Sequence, residues 1–157
     1  MQRRRFSHAY EDDLPMPLYR GNKNHSRSSY VRGGSVMLKI QAIRKDALSE
    51  GSSSPGIIRH LAFKGEDVQV VRSCIDPGIV SGWHHHGDFH VYGYVVSGTI
   101  RLESGADVIT ISSGDFFLVP PHTVHREANP SPTERGEVIL FLQGTGPMAI
   151  NVEGPEP

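Results

Sequence analysis

One cysteine, Cys74, and one tryptophan, Trp83, occur in 157 residues. A lone cysteine excludes an intramolecular disulfide and fits a reducing compartment. No stretch approaches the roughly 18 consecutive apolar residues of a membrane span. The opening Met1-Gln2-Arg3-Arg4-Arg5 is followed by polar residues and not by the apolar run of a signal peptide. Internal repeats and coiled-coil heptads are also missing. These absences predict a soluble, cytoplasmic protein with no membrane partner. The length suffices for one domain with a real core, so any metal is read as functional before structural.

Charge is scarce overall, with a net of -1, but it is unevenly placed. Residues 1–34 carry seven basic groups against three acidic ones, a net of +4, and leave -5 for the rest. The same stretch has no hydrophobic period and is rich in Arg, Ser, Asn, Gly and Pro, which predicts a flexible or arm-like leader. It lacks aromatic interleaving and any motif that reads bases, which argues against a nucleic-acid partner. The domain boundary is therefore placed at 34/35, with a β-barrel domain over 35–157.

Beyond the leader, short β-branched runs alternate with turn residues. Residues 36–43 show partial alternation and predict a strand, with a short helix continuing to Leu48 as the alternative. Strands are then expected over 58–63, 68–75, 79–86, 90–96, 99–103, 108–111, 116–119, 123–127, 138–142 and 149–152. Ser97-Gly98 and Ser112-Ser113-Gly114-Asp115 are compact turn signals between them. Strands at about ten-residue spacing without a long helix indicate an all-β sandwich or barrel. Trp83, Phe116 and Phe117 are expected in its core.

The histidines supply the functional lead. In a strand, His84 and His86 share a face about 7 Å apart, and His85 points the other way. A third imidazole from His125, on a neighbouring strand, would complete a facial set with positions left open for water or substrate. His8, His25 and His60 read as ordinary surface or core residues.

These residues resemble the cupin superfamily. Gly78, five residues, His84-His85-His86 and a closing Gly98 follow its first motif, and Gly114, Pro120, His125 and Asn129 follow its second at the expected spacings. Two positions depart from the pattern. His122 stands where the second motif has glycine, a turn that histidine tolerates because it is enriched among non-glycine residues at positive φ. The glutamate of the first motif is missing, and its slot falls on Val91 counting back from Gly98 or on His90 counting forward from His86. The resemblance implies a jelly-roll β-barrel, frequent homodimers, and a divalent metal held by His84, His86 and His125.

In a regular strand His90 and Val91 cannot both face the ion, and a bulge after Gly87-Asp88 would be needed to turn His90 inward as a fourth ligand. Loss of the carboxylate shifts the preference towards imidazole-favouring metals such as Fe, Zn or Ni. Glu127 shares the strand face of His125 and is the candidate catalytic carboxylate, the alternative being a solvated rim residue. Arg101 and Glu103 share a face and either bind a substrate carboxylate or form a surface ion pair. The leading function is a metal-dependent oxygenase, a dioxygenase in particular, acting on a small molecule. A metal-assisted isomerase or lyase and a non-catalytic small-molecule binder or sensor are the alternatives.

Overall fold

The computed structural model describes residues 40–155. Its strands are β1 (Ser49–Glu50), β2 (Ile57–Lys64), β3 (Val68–Ile75), β4 (His84–His85), β5 (His90–Ser97), β6 (Thr99–Ser104), β7 (Asp107–Ser112), β8 (Phe116–Val119), β9 (Arg126–Ala128), β10 (Gly136–Gln143) and β11 (Ile150–Asn151). A 3₁₀ turn at Lys45–Ala47 is the only helical piece among the described residues. The leader, 1–34, lies outside them.

The strands form a jelly-roll barrel. Six pair in the order β1-β2-β3-β10-β5-β8, three in the order β7-β6-β9, and β11 pairs with β4. Alternation along each strand fixes the inward face. On β5, Val91, Gly93 and Val95 are buried and face in, whereas Tyr92 and Val96 are exposed. On β2, Ile57 is fully buried and Leu61 packs against the core, so Arg59 between them also occupies an inward position.

Two apolar clusters fill the interior. Ile57, Ile75, Val95, Ile100, Leu102 and Val138 form one, and Val71, Phe89, Val91, Val119 and Leu142 form the other. Phe117 and Leu140 pack against both. The Phe117 ring lies across Gly93 so closely that a Cβ there would come within 2.1 Å of ring carbons. Glycine is required at 93 because its missing side chain is the space the ring occupies.

Several strand assignments change. Residues 40–43 are irregular and Ile40 is fully exposed, because no neighbouring strand pairs with them. Phe116, expected in the core, is 77% exposed. Its place on β8 is the outward one, beside Tyr94, at a ring separation of 4.8 Å. The expected strand 79–86 shrinks to a bridge at Val80, paired with Ala128, and the short β4. Between the pairs Val80/Ala128 and His84/His125 the first segment holds one residue more than the second. That extra residue is a bulge near Gly82-Trp83, which ends regular pairing and re-aims the histidines that follow.

Candidate metal centre

His84 and His125 sit directly opposite each other, with paired backbone hydrogen bonds of 2.9 Å in both directions. His86 follows two residues on, and the next residue, Gly87, turns the chain at φ 55°. All three side chains are buried, with ring centroids 4.4 Å apart for His84/His125 and 5.0 Å for each of the other two pairs. One nitrogen from each lies within 4.8 Å of the others, a spacing able to hold a metal ion.

The hydrogen bonds fix which nitrogen is free. His84 Nδ1 donates to the Gly82 carbonyl at 3.0 Å, His125 Nδ1 to the Thr123 carbonyl at 2.9 Å, and His86 Nδ1 to the Met148 carbonyl. A carbonyl only accepts, so each Nδ1 carries a proton, and in the neutral ring Nε2 is the nitrogen left with a lone pair. Backbone carbonyls that orient ligand imidazoles in this way are the usual support of a metal site. Burial pushes the His86 pKa down to about 4, and burial likewise lowers that of His125. Both rings are therefore neutral near pH 7, the form that ligates.

Glu127 adds an independent test of fit. Its Oε2 lies 3.5 Å from His84 Nε2, so a carboxylate faces the ring nitrogen that the backbone leaves free. A cation satisfies both ends of that contact, either a proton on Nε2 or a metal held at the three Nε2 atoms. The other carboxylate oxygen accepts from Arg59 Nη2 at 2.5 Å, and Ser81 Oγ donates to Oε2 at 3.2 Å. Burial alone would raise the Glu127 pKa, but the Arg59 guanidinium, the neighbouring imidazoles and the Ser81 hydroxyl outweigh it and hold the carboxyl below the ordinary value.

Of the four histidines considered as ligands, three are brought together and His90 is not. His90 stands beside buried Val91 on β5 and lies on the outer face, stacked on exposed Tyr92 at 6.4 Å between ring centroids. The turn at Gly87 leaves β5 in regular alternation, so the slot of the missing glutamate is filled inward by Val91. His85 points away from the group, and its ring lies 5.9 Å from that of His122. His122 takes the glycine conformation at φ 58°, the only non-glycine residue at positive φ among those described.

Arg59 is the member that sequence reasoning passed over. Inward parity with Ile57 and Leu61 was the available signal, since a charged side chain in a barrel interior requires a partner. Arg101 lies instead on the outer wall, where Glu103 binds it at 2.8 Å and Arg126 Nε at 2.7 Å.

The histidines open onto a narrow cavity of about 40 Å³, measured as the space open to the centre of a water-sized sphere. Arg59, Glu127 and Ser52 give it a polar side, and residues of both apolar clusters, such as Ile75, Val91 and Phe117, line the rest.

The family model for the cupin domain matches residues 71–142, a span that contains all three histidines. The barrel has the cupin fold. No curated protein matches the chain in sequence. Among solved structures, KdgF from Halomonas sp. is 26% identical over 69% of this chain and 96% of its own, at a TM-score of 0.60. A conserved protein with a double-stranded β-helix domain from Klebsiella pneumoniae is 21% identical over 73% of this chain and 99% of its own, at 0.61. The polyketide cyclase RemF from Streptomyces resistomycificus is 12% identical over 73% and 86%, at 0.62. The last two likenesses show the cupin fold alone. No described helix is long and apolar enough to cross a membrane.

Proposed function

We propose that the protein is a metal-dependent oxygenase acting on a compact small molecule inside the cupin barrel. The observation that carries this reading is the convergence of three imidazoles, each anchored through Nδ1 to a backbone carbonyl, on the wall of a largely apolar cavity. His84, His86 and His125 would hold the ion through Nε2. A three-nitrogen site suits Fe, Zn or Ni better than Mg or Ca, and iron would supply the redox chemistry of an oxygenase. The chain's own contribution is to fix the rings through backbone carbonyls, to exclude water with the apolar lining, and to seat the substrate beside the open face.

Glu127 is the proposed carboxylate of the site. Efficient acid–base catalysis favours a pKa near the working pH, and Arg59 holds Glu127 on the low side. Its role is therefore read as orienting Arg59 and balancing the ion's charge in preference to abstracting a proton. The proximity of Glu127 to His84 is the observation that favours the second reading, a metal-assisted isomerase or lyase in which Glu127 moves the proton.

A homodimer is also inferred, supported by an outer sheet face on which Tyr92 pairs with Leu118 and Phe141, all three exposed. A cytoplasmic setting remains part of the proposal. Elemental analysis of protein purified without a tag, followed by oxygen-electrode measurement of the iron-loaded protein with candidate substrates, tests the reaction class. Stoichiometric iron with substrate-dependent O₂ uptake is expected. Turnover that proceeds equally well without O₂ would replace the first reading with the second, and lack of any bound metal would remove both.

A further inference from the structure

We infer that Arg59 is an anion-recognition residue, and that the cavity takes a compact monocarboxylate with an apolar body. The inference deepens the proposed function, resting on its reading that the cavity is where substrate binds.

Arg59 faces into the barrel from β2 between Ile57 and Leu61, opposite Ser73 of β3, whose nearest neighbours of like parity are Val71 and Ile75. Bringing a guanidinium into such an interior is unfavourable unless its hydrogen-bonding and charge are used. The protein uses only part of them. Arg59 Nη2 donates to Glu127 Oε1, and Nη1 makes one long contact of 3.5 Å to the Ser52 carbonyl. A guanidinium carries five N–H groups in a planar fork, so donors remain for a ligand. The side chain is 16% exposed, and the cavity wall it shares with the histidines is where that remaining surface lies.

Charge points the same way. A divalent ion at the histidines would add to the Arg59 cation, and among the described residues Glu127 is the only anionic side chain on the cavity wall. The loaded cavity is thus net positive and attracts an anion. Planar two-donor geometry matches a carboxylate, which Arg binds through paired hydrogen bonds. The remaining wall, including Ile75, Val91, Phe117 and Leu140, has no charged group and accommodates an apolar body. Arg101, the other arginine with a claim to such a role, lies outside the barrel, its Nε 2.8 Å from Glu103 Oε1.

The test is a calorimetric titration of the zinc-loaded protein with benzoate and with its neutral isostere benzamide, repeated on Arg59→Met, Glu127→Gln and the double variant. Benzoate is expected to bind at least tenfold more tightly than benzamide to the wild type. Arg59→Met should lower benzoate affinity at least tenfold and leave benzamide within about threefold. Glu127→Gln, which frees the guanidinium from its internal partner, should tighten benzoate. Should Arg59→Met fail to fold, the double variant removes both charges together and carries the same expected loss. Benzoate affinity within twofold of wild type in the folded Arg59 variant overturns the proposal, as does wild-type protein that prefers benzamide. Titrating metal-free protein in parallel separates the two levels: absent zinc binding counts against the proposed function, while the effect of Arg59 on benzoate is still read directly.

Discussion

Arg59 and Glu127, 68 residues apart in sequence, meet inside the barrel with Nη2 and Oε1 2.5 Å apart. The strand β2 supplies the cation and β9 the anion, so the pair ties the six-stranded sheet to the three-stranded one at the edge of the histidine group. Removing one partner leaves the other desolvated without compensation, whereas removing both leaves only space to refill. Arg59→Met should therefore destabilise the fold by roughly 2–3 kcal/mol, and Arg59→Met/Glu127→Gln should recover more than half of that loss. Urea unfolding of the four proteins in the cycle measures it, and strictly additive losses would show that the pair is not coupled.

Metal binding should divide the histidines sharply. His84→Ala, His86→Ala and His125→Ala are each expected to lower affinity at least a hundredfold, and His85→Ala and His90→Ala to change it less than threefold, because only the first three lie within ligand reach of one another. The barrel should stay folded in every case, since its two apolar clusters form without the ion. Zinc titration with circular dichroism on each variant checks both halves. Strong loss of metal in His90→Ala alone would restore the four-ligand site.

The turn after Pro120-Pro121 offers a cleaner backbone test. His122 holds φ 58° and its Nε2 contacts Asp88 Oδ1 at 2.9 Å on the exposed rim. A β-branched residue cannot adopt that conformation without strain, while glycine adopts it freely. His122→Val should cost about 1–2 kcal/mol, and His122→Gly should fall within about 0.5 kcal/mol of wild type. Thermal unfolding of the two variants is enough, and equal effects from Val and Gly would mean that the turn tolerates any residue.

Much of this arrangement was legible in the residues, and the exceptions have physical causes. Strand 68–75 and strand 116–119 agree with the observed bounds because each is a β-branched or aromatic run closed by turn residues. The three histidines were legible because period-two alternation and the two motif spacings converge on one face. Segment 79–86 was not, because a bulge is an extra residue in one strand only and depends on the register of the partner, which alternation in a single segment does not record. Phe116 illustrates the same limit: in Phe116-Phe117 one ring must face out, and composition alone does not say which. His90 lies outward because β5 keeps strict alternation, leaving buried Val91 inward. Arg59 escaped notice because an inward charge becomes visible only when the strand's neighbours are known.

Acid sensitivity of the metal-free protein follows from His86. Its imidazole has an ordinary pKa of 6.5 that burial lowers to about 4 in the fold. Between those values the unfolded chain binds the proton and the folded chain does not, so protonation favours unfolding and stability falls as pH falls through the window. The contribution is fully present above about pH 6.5 and has been lost by about pH 4, a difference of roughly 3 kcal/mol. His125 shifts in the same direction for the same reason, and Glu127, held low by Arg59 against the effect of burial, loses its own contribution as pH falls below its ordinary carboxylate value. Urea midpoints of metal-free protein at pH 7.5 and 4.5 should therefore differ, and His86→Gln, which removes the titrating group, should show a shallower dependence than wild type. Saturating zinc should steepen the dependence, because the ion binds only the neutral rings and adds stability at pH 7.5 that protons withdraw at pH 4.5. Identical pH dependence in wild type and His86→Gln would place the acid-labile group elsewhere in the barrel.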